Sequence, residues 1–173
     1  IKGAAITSFS IEGTTHEFTA IEGIREDVVD IMLHLKNIRF KSPSDAPVEL
    51  TLEINGSEQS KKDGDARVVA GDINLTNEVE IANPHQLIGH SDDPAVTLKM
   101  HFVVETGCGY LTIDKAGEDR LHSDMIALDA VFTPVLRVRY KVENTRVGQD
   151  TNLQQLTITI DTDGTITPKE AFE

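Results

Sequence analysis

Tryptophan is absent and cysteine occurs once, at Cys108, so no internal disulfide framework can form. A reducing compartment suits such a chain. Aromatic residues make up only 5% of the sequence, which leaves valine, isoleucine and leucine to fill the core. No apolar run approaches the roughly 18 residues that a membrane-spanning helix needs. Positive charge is scarce: 16 Lys and Arg stand against 29 Asp and Glu, a net charge of −13. Affinity for a phosphate backbone comes from Lys and Arg, so this balance argues against direct nucleic-acid binding. The first residues, Ile1-Lys2-Gly3-Ala4-Ala5, lack the charged start and apolar centre of a signal peptide, and they lack an initiator Met. The expectation is a chain that begins inside a longer gene product. Two glycosylation sequons, Asn55-Gly56-Ser57 and Asn74-Leu75-Thr76, read as chance matches where no secretion signal accompanies them.

What is present is strand. Val48, Leu50, Leu52 and Ile54 alternate with Glu49, Thr51 and Glu53, and Val96, Leu98, Met100, Phe102 and Val104 continue the same period over nine residues. Leu136, Val138, Tyr140 and Val142 alternate with Arg137, Arg139 and Lys141, and Leu156, Ile158 and Ile160 with Thr157 and Thr159. A period of two puts one face of each segment on a core. Shorter strands are expected at Ala5–Ile11, Arg67–Ala70, Val79–Ile81 and Ile126–Ala130. One segment has helical spacing: Ile24, Val28, Ile31, Met32 and Leu35 form a single stripe. Glu26 and Asp27 fall in its first turn and Lys36 in its last, matching the helix dipole. A short helix should also begin at Pro168, with Thr167 as N-cap and Glu170 as its capping-box partner. The stretches 41–47, 57–66 and 117–123 read as loops. With no regular βαβ alternation, the class is α+β with mostly antiparallel strands.

Few of these residues suggest chemistry. Asp161, Asp163, Gly164 and Glu170 fall at positions three, five, six and twelve of an EF-hand calcium loop. Against this, position one is Thr159, a strand pattern precedes the loop instead of a helix, and no second copy exists. Strand, turn and short helix is the better reading of the segment. The histidines at 16, 34, 85, 90, 101 and 122 are scattered, without zinc spacing or an H-E-x-x-H pair. Cys108 has no adjacent basic residue to lower its pKa and reads as a structural or incidental thiol. Gly107-Cys108-Gly109-Tyr110 lacks the Lys-Ser/Thr of a phosphate loop and reads as a bulge or a tight connection between strands. No G-x-S-x-G or comparable catalytic set is present. The row Arg137, Arg139 and Lys141, with Arg146 nearby, is the one concentration of positive charge. It is either a solvated sheet face or a docking surface for an acidic partner.

The ordered series of stretches along the chain resembles the bacterial RNA polymerase alpha subunit. The stretches run Gly3–Thr7, Ile11–Gly13, His16–Phe18, Gly23–Val28 to Lys36, Ala70–Ile73, Val79–Ile81 with Asn83-Pro84, and Gly107–Tyr110. The most specific are Asp129–Val135 and Tyr140–Gln149, and Thr162–Ile166 with Pro168 and Glu170 closes the set. Two departures stand out: Cys108 replaces a usual Arg, and residues 63–69 do not reproduce the family's usual loop.

The resemblance implies a strand-rich insert subdomain over 1–128 and part of a dimerisation subdomain over 129–173, without the family's dimerisation helices. It further implies a non-catalytic assembly scaffold of a cytoplasmic bacterial nucleotidyltransferase, with no cofactor and no metal. The implied partners are the beta and beta-prime subunits and a second alpha subunit, with no direct nucleic-acid contact and no membrane. The residues expected at those interfaces are Arg25, Glu26, Asp27, Lys36, Asp129, Pro134, Val135, Glu143, Arg146 and Val147.

Overall fold

The structure, a computed structural model, describes residues 1–12, 20–58, 66–114 and 124–173. His16-Glu17, His122 and most of the loops expected at 57–66 and 117–123 lie outside those residues. The main sheet is built from β1 (Lys2–Ile11), β2 (Phe40–Lys41), β3 (Val48–Asn55), β5 (Glu80–Ile81), β7 (Thr97–Cys108) and β9 (Ile126–Ala127). Its order is β3-β7-β1-β2-β5, with β9 added beside β1. Its strands pair antiparallel throughout the described residues. The remaining strands are β4 (Arg67–Val69) and β6 (Leu87–His90), β8 (Tyr110–Leu111) and β10 (Ala130–Val131), and β11 (Val135–Val147) and β12 (Asp150–Thr162), each couple forming a two-stranded sheet.

The alternation expected at 48–54 and 96–104 sets this architecture. Val48, Leu50, Leu52 and Ile54 of β3 are buried while Glu49, Thr51 and Glu53 are exposed. On β7, Leu98, Met100, Phe102 and Val104 are buried on the same side, each opposite a buried residue of β3. Phe9 and Ile11 of β1 extend that layer. Helix α1 (Val28–Lys36) covers it with Val28, Ile31 and Leu35, and all of these residues join one apolar cluster. At roughly 1.5–3 kcal/mol per buried aliphatic or aromatic side chain, this layer is the principal source of stability.

The helix differs from its sequence pattern at the start. Asp27 is the N-cap, its carboxylate accepting from the Asp30 N–H at 2.8 Å, so Glu26 and Asp27 precede the helix. Ile24 is buried, but from an extended segment bridged to Ser91, because Arg25 N donates to the His90 carbonyl there. The expected strand at 126–130 divides into β9 and β10, since the Leu128 N–H turns to the Thr7 carbonyl at a bulge of β1. Helix α2 (Pro168–Phe172) has the expected capping box: Glu170 accepts from the Thr167 N–H and Thr167 from the Glu170 N–H.

Strands β11 and β12 depart most from expectation. Each is thirteen residues long, longer than its alternation suggested, and they pair only with each other. Helix α2 packs against the end of β12, and most of both faces is exposed. Of the apolar residues read from their spacing as core-facing, all but half-buried Ile160 are instead exposed, Tyr140 by 78%.

Candidate functional site

The interface residues expected from sequence fall at three separate places. Arg25, Glu26 and Asp27 sit at the start of α1. Arg25 forks onto Asp92, with Nε–Oδ2 at 3.0 Å and Nη2–Oδ1 at 2.8 Å. That pair holds the Asp92 carboxyl below its ordinary range. Glu26 is turned inward, accepting the His90 N–H at 2.7 Å and facing its ring nitrogen at 2.5 Å. A side chain at Gly89 would crowd that carboxylate. With Asp27 serving as cap, all three have structural work inside the chain.

Lys36 and Asp129 lie at the other end of α1. They are 93 positions apart in sequence, yet Lys36 Nζ approaches Asp129 Oδ2 to 2.6 Å. Tyr110 donates to the same oxygen at 2.7 Å. Lys36 first, and Tyr110 second, hold the Asp129 carboxyl below its usual range, and the same hydrogen bond raises the Tyr110 phenol. Pro134 follows as a buried residue whose carbonyl accepts the Asp163 N–H at 2.9 Å, and half-buried Val135 opens β11.

Glu143, Arg146 and Val147 occupy the far part of the ribbon, which reaches about 40 Å from Val135 at the ordinary rise per residue. Glu143 pairs with Lys141 at 2.7 Å. Arg146 Nε donates to the Gly148 carbonyl at 2.6 Å, across a turn where Gly148 has φ +61°. Val147 is exposed.

The ribbon has two unlike faces. Cross-strand partners share a face, so Val138 lies beside Ile160, Tyr140 beside Ile158, and Val142 beside Leu156. These six make an apolar strip, all but half-buried Ile160 exposed. Their alternation, which in sequence points to a core, is the signal for this surface. The opposite face holds Arg137, Arg139 and Lys141. Asp161 lies 2.9 Å from Arg137 and 3.9 Å from Arg139, and Glu143 answers Lys141. The basic row is therefore largely neutralised by its own neighbours, and such exposed pairs contribute little.

The calcium-loop residues are dispersed among local bonds. Asp161 is taken by Arg137, Asp163 accepts from the Thr165 N–H and hydroxyl, and Glu170 caps α2. Among the described residues no group of three His, Cys, Asp or Glu is placed to hold a metal. A cleft of about 280 Å³ lies on the outer face of the main sheet, lined by Ser10, Glu49, Thr51, His101, Asp124 and Met125. Among the described residues it gathers two carboxylates and one imidazole. Cys108 is exposed at the end of β7, and Gly109, with φ +72°, makes the expected tight connection to β8. Among the described residues no helix is long and apolar enough to cross a membrane.

Comparison with known proteins bears on this arrangement. Residues 9–133 match the family described as the RNA polymerase Rpb3/RpoA insert domain. Over 172 residues the chain is 44% identical to the DNA-directed RNA polymerase subunit alpha of Roseiflexus castenholzii. That alignment takes in 99% of this chain and 50% of the relative, so the chain spans half the length of the curated relative it matches.

Proposed function

Because this chain belongs to the bacterial RNA polymerase alpha-subunit family, we propose that it works as an assembly scaffold of DNA-directed RNA polymerase. In this reading it docks the beta and beta-prime subunits and a second alpha subunit, and performs no chemistry of its own. Residues 1–128 act as the insert subdomain and 129–173 as part of the dimerisation subdomain. The observation that carries the reading is the uncovered apolar strip of Val138, Tyr140, Val142, Leu156 and Ile158. An apolar face of this extent on a two-stranded ribbon is the mark of a surface made to be covered. Full burial of an exposed aliphatic side chain is worth about 1.5–3 kcal/mol, and covering these partly exposed residues gains a share of that at each position.

Lys36, Asp129, Pro134, Val135, Glu143, Arg146 and Val147 are the contact residues of this proposal, with Arg25, Glu26 and Asp27 supporting from the start of α1. The Lys36 ammonium is already paired with Asp129. The test is co-purification of the intact subunit with beta and beta-prime. Tyr140→Asp should lose the complex while the subunit stays folded. Lys36→Asp combined with Asp129→Lys restores the internal pair with reversed charges. If that swap assembles as the wild type does, Lys36 acts inside the chain; if it fails, Lys36 meets a partner. Full assembly of the Tyr140→Asp subunit would reject the apolar strip as a docking surface.

A further inference from the structure

The chain passes from the main sheet to the ribbon through residues 129–134, and this passage is unusually well held. Gly3 and Gly107 are direct partners across β1 and β7. A Cβ on Gly3 would land on the Phe132 carbonyl, and one on Gly107 would come within 2.8 Å of the Phe132 ring. The two glycines thus open a slot at the end of the sheet, and Phe132 fills it, only 6% exposed. Its N–H donates to the Gly109 carbonyl at 2.9 Å.

Three positions earlier, Asp129 is gripped by Lys36 from α1 and Tyr110 from β8. Two positions later, Pro134 has a fixed φ and its carbonyl takes the N–H of Asp163, the residue that follows β12. Both strands of the ribbon are therefore tied at its base to a segment wedged into the sheet. A connection meant only to join two units needs none of this, since loops ordinarily run over the surface without such packing.

We propose that Phe132 in its glycine slot, with the Lys36–Asp129–Tyr110 clamp, forms a preset joint that fixes the direction in which the ribbon leaves the insert sheet. The inference rests on the scaffold reading for its purpose, since a scaffold must hold its docking surfaces at a set angle and spacing. Phe132 and Tyr110 are positioning residues in this account, acting through the ribbon.

The joint is tested on the full chain by electron-spin distance measurement, in a Cys108→Ser background with labels at Glu53→Cys on β3 and Gln154→Cys on β12. Both label sites are exposed. The parent should give one narrow distance distribution. Phe132→Ala should broaden it about twofold or more, and so should Lys36→Met combined with Asp129→Leu. If Phe132→Ala fails to fold, the half-exposed clamp variant decides the question. Distributions as narrow as the parent's in the folded variants would overturn the joint. No partner is present in this measurement, so its outcome is independent of whether the large subunits bind the strip.

Discussion

Asp129 gathers two donors on one carboxylate oxygen, and its environment has a consequence for acid stability. Its folded-state carboxyl is held below the ordinary value, chiefly by Lys36 and then by Tyr110. In the unfolded chain it returns to about 3.9. The native protein therefore keeps this group ionised where the unfolded chain has begun to bind a proton. The contribution is complete above the unfolded value and is lost as pH falls through the folded one. Asp92 and Glu170 are lowered too, Asp92 by Arg25 and Glu170 by the Thr167 N–H, and they add to the same acid slope. Urea unfolding of the parent and of Asp129→Asn at pH 7 and near pH 3 separates the share of Asp129. The variant should be weaker at pH 7 by roughly 0.5–1.5 kcal/mol, and the gap should close in acid. A gap that persists unchanged at pH 3 would mean that the pair has no part in the titration. Much at this scale was legible beforehand: the Thr167–Glu170 box needs only local spacing, and it formed. The Lys36–Asp129 bond was not legible, because 93 residues separate its members and only the fold brings α1 against the passage to the ribbon.

Among the elements, two pairs of strands carry the same alternating pattern and meet opposite fates. Strands β3 and β7 place theirs under α1 in one apolar cluster. Strands β11 and β12 hold theirs out, with Tyr140 78% exposed. Truncation should separate them cleanly. Leu50→Ala removes a side chain only 1% exposed and should cost about 2–5 kcal/mol through lost transfer energy and the cavity left. Tyr140→Ser, on the ribbon, should stay within about 0.5 kcal/mol, as surface changes usually do. Chemical denaturation of the two variants checks this, and a ribbon variant as damaged as the core one would mean that the strip is packed after all. Alternation reports that one face of a strand is to be shielded from water. It does not report by what, since that depends on layers formed from distant sequence. The same limit explains Ile24: its place in the helical stripe foretold burial, but hydrogen bonds to the His90 strand kept its backbone extended.

For the whole molecule, a well-filled sheet and helix carry a ribbon whose apolar side has no cover in the described chain. Exposed apolar strips draw copies together when no partner is available. Sedimentation of the chain should show weak, concentration-dependent association that Tyr140→Asp suppresses. A tight dimer indifferent to that substitution would place the contact elsewhere. The sequence by itself determined the antiparallel α+β class, the covering helix, the terminal capping box and the family, because each rests on local periodicity, short-range hydrogen bonding or an ordered series of motifs. Tertiary structure alone decided that Glu26 and Asp27 serve the chain from within, that Phe132 is wedged between two glycines, and that the strip from Val138 to Leu156 faces outward. Such outcomes depend on which surfaces meet after the chain has folded back on itself. A pattern of one residue in two names the face that seeks cover but never its partner.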